Sequence, residues 1–121
     1  MHYIALAITI LTGLGIIFVG VMYLFAPIAT AKGFGLPSWP SETAWLNLKG
    51  IRDVVSGFAV LIPLVLGQFE VAGWLMLSAA LTPIGDMLTI LRNRGRRATA
   101  FGVHGATALV VLVGGVLFLA S

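Results

Sequence analysis

A chain of 121 residues that is 60 % hydrophobic and 9 % charged is not a soluble globular domain, where about a quarter of residues are charged. Its formal net charge of +3 does not point to nucleic acid, because the cations sit in short links between apolar runs, and no nucleic-acid partner is expected. Cysteine is absent, which removes disulfides, thiolate chemistry and cysteine metal sites.

Four runs have the roughly 20 apolar residues that a spanning helix needs: 3–26, 45–66, 69–91 and 98–120. They leave no room for an extramembrane domain. Residues 1–121 therefore read as a single transmembrane domain, and the expected fold is an all-α, integral membrane four-helix transmembrane bundle. The first run is too long for a signal-peptide core and lacks a basic segment ahead of it. Along it, Ala5, Thr9, Gly13, Gly20 and Tyr23 form one stripe, and its first three members follow the small-residue spacing that lets membrane helices approach closely. Pro27 is expected to end this helix. Residues 32–40, rich in Gly and Pro, read as an irregular loop whose Phe34, Leu36 and Trp39 lie against the membrane surface. Ser41 or Thr43 is expected to cap the second helix.

The second run holds Asn47, Lys49, Arg52, Asp53 and Ser56. A charged side chain in a bilayer is unfavourable by about 2.5–3.5 kcal/mol on insertion scales, so such groups face protein, pair and mark function. Lys49, Arg52, Asp53 and Ser56 stand at i, i+3, i+4 and i+7, the spacing of one helical face. The third run carries Ser78, Thr82, Asp86 and Thr89, with Pro83 predicted to kink it and free carbonyls near Ala79; Pro63 is expected to act similarly in the second. The fourth run is almost featureless apart from His104 and Thr107, beside Gly102 and Gly105. The Ser and Thr hydroxyls are expected to bond carbonyls of their own helices.

Depth brings these groups together. At 1.5 Å per residue, Asp86 lies roughly 9 Å inward of Arg92, and His104 roughly 10 Å inward of Arg97. Asp53 lies at a similar depth. One polar layer then collects Tyr23, Asn47, Lys49, Arg52, Asp53, Asp86 and His104, with Lys49–Asp53 pairing along a helix and Arg52–Asp86 across helices. Opposing effects of burial and neighbouring cations make Asp53 and Asp86 the candidate catalytic acids or bases, joined by His104, which changes charge near neutral pH. Lys49, Arg52, Asn47 and Tyr23 are the candidate ligand-binding residues. No metal site is expected, since no HxxxH or ExxH spacing is present, and no cofactor is implied.

Alternate threading of four spans puts Lys32, Arg92, Arg94, Arg96 and Arg97 on one side. Excess Lys and Arg in short loops marks the cytoplasmic face, so both termini are expected outside, with Trp39 and Trp45 at the cytoplasmic interface and Trp74 at the outer one. Membrane lipid is the obvious partner, and the arginines suit anionic headgroups.

At Lys49-Gly50-Ile51-Arg52-Asp53, with Phe25-Ala26-Pro27, Gly33-Phe34-Gly35, residues 83–86 and His104, the chain resembles a family of small four-helix integral membrane proteins defined as a domain of unknown function, and distantly the DoxX-type four-helix membrane proteins. The resemblance implies the fold and this choice of residues. It implies no reaction.

Two functions fit the pattern. In one, the layer binds an apolar or amphipathic small molecule by its polar head and transforms it by acid–base isomerisation or cyclisation. In the other, the charges only fix helix packing in a scaffold, subunit or transporter. A transporter of four helices would have to be a homo-oligomer, and the apolar outer halves of the second and fourth runs argue against a through-pore.

Overall fold

The computed structural model describes residues 1–121 and contains five helices and no strand. They are α1 His2–Phe25, α2 Pro27–Lys32, α3 Ala44–Val65, α4 Phe69–Arg92 and α5 Arg97–Ala120. Three of them, α1, α4 and α5, are long and apolar enough to cross a membrane. The expected second span forms as the 22-residue α3, but with Lys49, Arg52 and Asp53 aboard it is not one of these three. Only 24 of 121 residues are buried, and large apolar side chains such as Phe18, Val55, Val65, Trp74 and Leu81 are exposed around the outside. Such an exterior suits hydrocarbon rather than water as the surrounding medium.

The expected stripe on α1 is its buried face: Ala5, Thr9, Gly13, Gly20 and Tyr23 are the residues it buries. Glycine is required where α1 crosses α3. A Cβ on Gly20 would lie 2.6 Å from the Gly50 carbonyl oxygen, one on Gly50 2.6 Å from the Gly20 carbonyl oxygen, and one on Gly57 2.6 Å from the Gly13 carbonyl oxygen. The two backbones therefore pack directly, as small-residue interfaces allow. At the end of the bundle bearing the termini, Ala5, Val60, Ala72, Met76, Val111 and Phe118 form an apolar core.

Pro27 does more than end α1. It takes the first position of the short helix α2, where its missing N–H is no loss, and this helix stands where the sequence suggests a loop. Thr43 does precede α3, but its side chain makes no capping hydrogen bond. Pro63 leaves α3 uninterrupted to Val65. In α4 the expected disturbance occurs: segments Phe69–Ala79 and Leu81–Arg92 meet at Ala80, one turn before Pro83, which offers no N–H to the Ala79 carbonyl. In α5 the residues Ala100–Gly105 form a π-helical turn, a feature that periodicity had not predicted.

The loop after α2 is tied to the end of the bundle at Arg96. Gly35, at φ +113°, accepts a hydrogen bond from the Arg96 amide at 2.8 Å, and the Arg96 guanidinium donates to the Lys32 carbonyl at 3.0 Å. A Cβ on Gly95 would collide with the Gly35 carbonyl oxygen. This stitching draws the loop across the end of the bundle and turns Phe34 inward, while Trp39 stays exposed.

Candidate functional site

A cavity of about 460 Å³ lies between α1, α3, α4 and α5, with Phe34 of the loop at one end. Its volume is within the range of small-molecule sites. The α1 wall is Leu11, Thr12, Ile16 and Val19; α3 contributes Lys49, Asp53, Ser56 and Val60; α4 contributes Met76, Ala79, Thr82, Pro83 and Asp86; α5 contributes Val103, His104, Thr107 and Val111. Ionisable groups gather at the Phe34 end, and the other end is apolar. Lys49 and Val60, at opposite ends of the α3 wall, are separated by roughly 16 Å of helix.

Each polar side chain is held by its own element. Asp53 is 6 % exposed and accepts from Lys49 Nζ at 2.8 Å, one helical turn away. The Lys49 ammonium lies 4.4 Å from the Tyr23 ring centroid and 5.3 Å from that of Phe34, favourable cation–π positions for a partly desolvated cation. His104 sits within the π-helical turn of α5, where an extra residue per turn shifts side-chain direction. Its ring packs on Phe34, with centroids 4.5 Å apart.

The two nitrogens of His104 have different partners. Nε2 lies 3.0 Å from the Phe34 carbonyl oxygen, and a carbonyl only accepts, so Nε2 carries a hydrogen. Nδ1 then faces Asp86 Oδ2 at 3.7 Å. That separation is longer than a hydrogen bond, and the two groups form an ion pair only when the imidazole is protonated.

Lys49, Asp53, Asp86 and His104 thus meet in one cavity, and the other three expected site residues do not line it. Arg52 is exposed and forms no ion pair, so the expected Arg52–Asp86 bridge is absent. Helix geometry explains this: relative to Lys49, Asp53 is rotated about 40° one way and Arg52 about 60° the other, past the cavity edge. Asn47 donates through Nδ2 to the Tyr23 carbonyl at 3.0 Å, tying α3 to α1. Tyr23 is buried behind the Lys49 ammonium. Most of the hydroxyls behave as expected, Thr9, Thr12, Ser56, Thr89 and Thr107 bonding carbonyls four residues earlier, whereas Ser78 and Thr82 of α4 make no such bond. Phe34 and Thr12 were missed as lining residues. The Gly33-Phe34-Gly35 run was the signal for Phe34, since a large aromatic between glycines in a loop has no helix of its own to pack on.

The cavity reaches the outside through two gaps. α3 packs on the Phe69–Ala79 part of α4 but barely on Leu81–Arg92, leaving exposed Ser56 and Thr82 along the gap between them. α1 packs on the Ala106–Ala120 part of α5 and barely on its π-helical turn, leaving exposed Leu11, Gly15, Val103 and Thr107 along the second. Both gaps lie beside irregular turns, at Pro83 and at Ala100–Gly105.

A family model described as a domain of unknown function (DUF4267) matches residues 13–118, which takes in every residue of the cavity except its mouth-side extension at Leu11 and Thr12. No curated protein and no solved structure matches the chain.

Proposed function

This chain belongs to the family DUF4267, whose description assigns it no activity, and from its cavity we propose that it binds an apolar or amphipathic small molecule within a membrane. In this reading α3 crosses the bilayer with α1, α4 and α5. Both termini lie outside and the basic links are cytoplasmic, a reading supported by the one-sided Lys and Arg. The observation that carries the reading is the polarity of the cavity: four ionisable groups from three helices at one end, hydrocarbon walls at the other, and side gaps through which a lipid-phase molecule enters. A layer that only fixed helix packing would close on itself, with no volume left between the helices.

The same groups equip the site for proton-only chemistry. In this reading Asp86 or His104 donates a proton to the bound molecule and the Asp53 carboxylate takes one back. Isomerisation or cyclisation of a bound chain then leaves the formula unchanged and needs no co-substrate.

The test uses purified protein in a mild detergent, with bound small molecules read by native mass spectrometry. Parent protein is expected to carry a discrete adduct. Gly15→Leu, at a cavity-lining position where an added Cβ meets nothing within 4 Å, is expected to lose it with no fall in melting temperature. Asp86→Asn keeps size and hydrogen bonding but removes the ionisable group, and is expected to retain the adduct and lose any turnover. Identical spectra for parent and Gly15→Leu would leave the packing-only reading in place.

A further inference from the structure

Resting on the proposal that the cavity holds a small molecule, the count of donors and acceptors at its polar end identifies the chemical class of that molecule. Asp53 Oδ2 is bonded to Lys49, but Asp53 Oδ1 has no hydrogen-bond donor within the protein, although the side chain is only 8 % exposed and lines the cavity. Asp86 Oδ2 faces His104 Nδ1, and no protein donor reaches Asp86 Oδ1. The donors near them are already directed elsewhere: Lys49 Nζ to Asp53 Oδ2 and to the faces of Tyr23 and Phe34, and His104 Nε2 to the Phe34 carbonyl. The ionisable groups therefore offer spare acceptors, and the neutral donor left free beside them is the Thr82 hydroxyl, one helical turn from Asp86, so the polar end suits a head that can both donate and accept.

Charge narrows the choice further. Lys49 and Asp53 cancel, and Asp86 faces His104, the group able to carry the matching charge. Arg52, the cation a phosphate or carboxylate head would need, lies outside the cavity. An anionic head would add an unpaired charge among spare acceptors. An ammonium head would donate, but would place a second cation beside Lys49 in a neutral site. Unpaired charge in such surroundings is strongly unfavourable. A hydroxyl has neither fault: it donates to a carboxylate oxygen and carries no charge.

We infer that the cavity takes a chain alcohol, its hydroxyl donating to Asp53 Oδ1 or Asp86 Oδ1 and its hydrocarbon chain lying against Ile16, Met76, Val60 and Val111. The roughly 16 Å of wall between Lys49 and Val60 suits a medium-length chain.

The experiment compares three probes of one saturated chain length, a primary alcohol, a primary amine and a carboxylate, on the parent protein in phosphatidylcholine nanodiscs. Binding is read by displacement of a radiolabelled alcohol and by thermal shift. The alcohol is expected to bind roughly tenfold or more tightly than either charged probe, the discrimination of one hydrogen bond to a charged acceptor. Asp86→Asn, which replaces a carboxylate oxygen by an amide, is expected to narrow that preference. An amine or carboxylate that binds as well as the alcohol overturns the chain-alcohol assignment and leaves the pocket reading standing. If no probe binds, and Gly15→Leu matches parent in every assay, the pocket reading fails with it.

Discussion

At the scale of single residues, the decisive contrast is between Asp53 and Arg52, neighbours in sequence with opposite surroundings. Asp53 is buried and paired; Arg52 is exposed and unpaired. Asp53→Ala leaves the Lys49 ammonium against two aromatic rings with no counter-charge. Breaking a buried pair in this way usually destabilises by about 3–5 kcal/mol, and partial exposure of Lys49 puts the expected loss near the lower end. Chemical denaturation in mixed micelles measures it. Arg52→Ala is expected to change stability by less than about 0.5 kcal/mol, as for surface positions away from special features. An Arg52→Ala loss as large as that of Asp53→Ala would mean that Arg52 turns inward.

At the scale of elements, glycine sets how closely α1 and α3 approach, and irregular turns set where α4 and α5 diverge from their neighbours. Gly20→Val introduces atoms where the Gly50 carbonyl already lies 2.6 Å from the ideal Cβ position. Backbone cannot move aside cheaply, so the α1–α3 interface must part, and a loss of several kcal/mol is expected. Gly85→Ala in α4 is the matched control: its added Cβ meets nothing within 4 Å, and the change should stabilise by about 0.5–1 kcal/mol through helix propensity. Thermal unfolding of the two variants beside the parent decides it, and a tolerated Gly20→Val would contradict the close crossing. Pro83 and the turn at Ala100–Gly105 act in the opposite sense. Each interrupts regular packing beside the polar end of the cavity, which keeps Asp86 and His104 within reach of a molecule entering from the side.

At the scale of the whole molecule, the bundle has an apolar exterior and basic links at one end, and the proposed topology follows from these. The chain has no cysteine, so single cysteines report cleanly. Ser121→Cys is expected to react with a membrane-impermeant maleimide from outside sealed cells, and Asn93→Cys only after lysis. Reaction of both from the same side would show that the number of crossings between residues 93 and 121 is even, and the four-span topology would be wrong.

The positions of the long helices, the buried stripe of α1 and the shared depth of Asp53, Asp86 and His104 were legible in the sequence. Each depends on a local period, 3.6 residues per turn with a fixed rise, and on the unfavourable transfer of polar groups into hydrocarbon. Which ionisable groups share the cavity was decided by the tertiary structure. One residue step turns a helix by roughly 100°, so the difference between Asp53 inside and Arg52 outside depends on where α4 stands relative to α3, and spacing along one chain segment does not contain that. The inward Phe34 depends on the Arg96 amide reaching the Gly35 carbonyl, a contact between segments some sixty residues apart. His104 meets both Phe34 and Asp86 because a π-helical turn carries it. Periodicity does not single that turn out, since the residues around it, Gly102 and Gly105 included, fit the apolar pattern of a regular helix equally well.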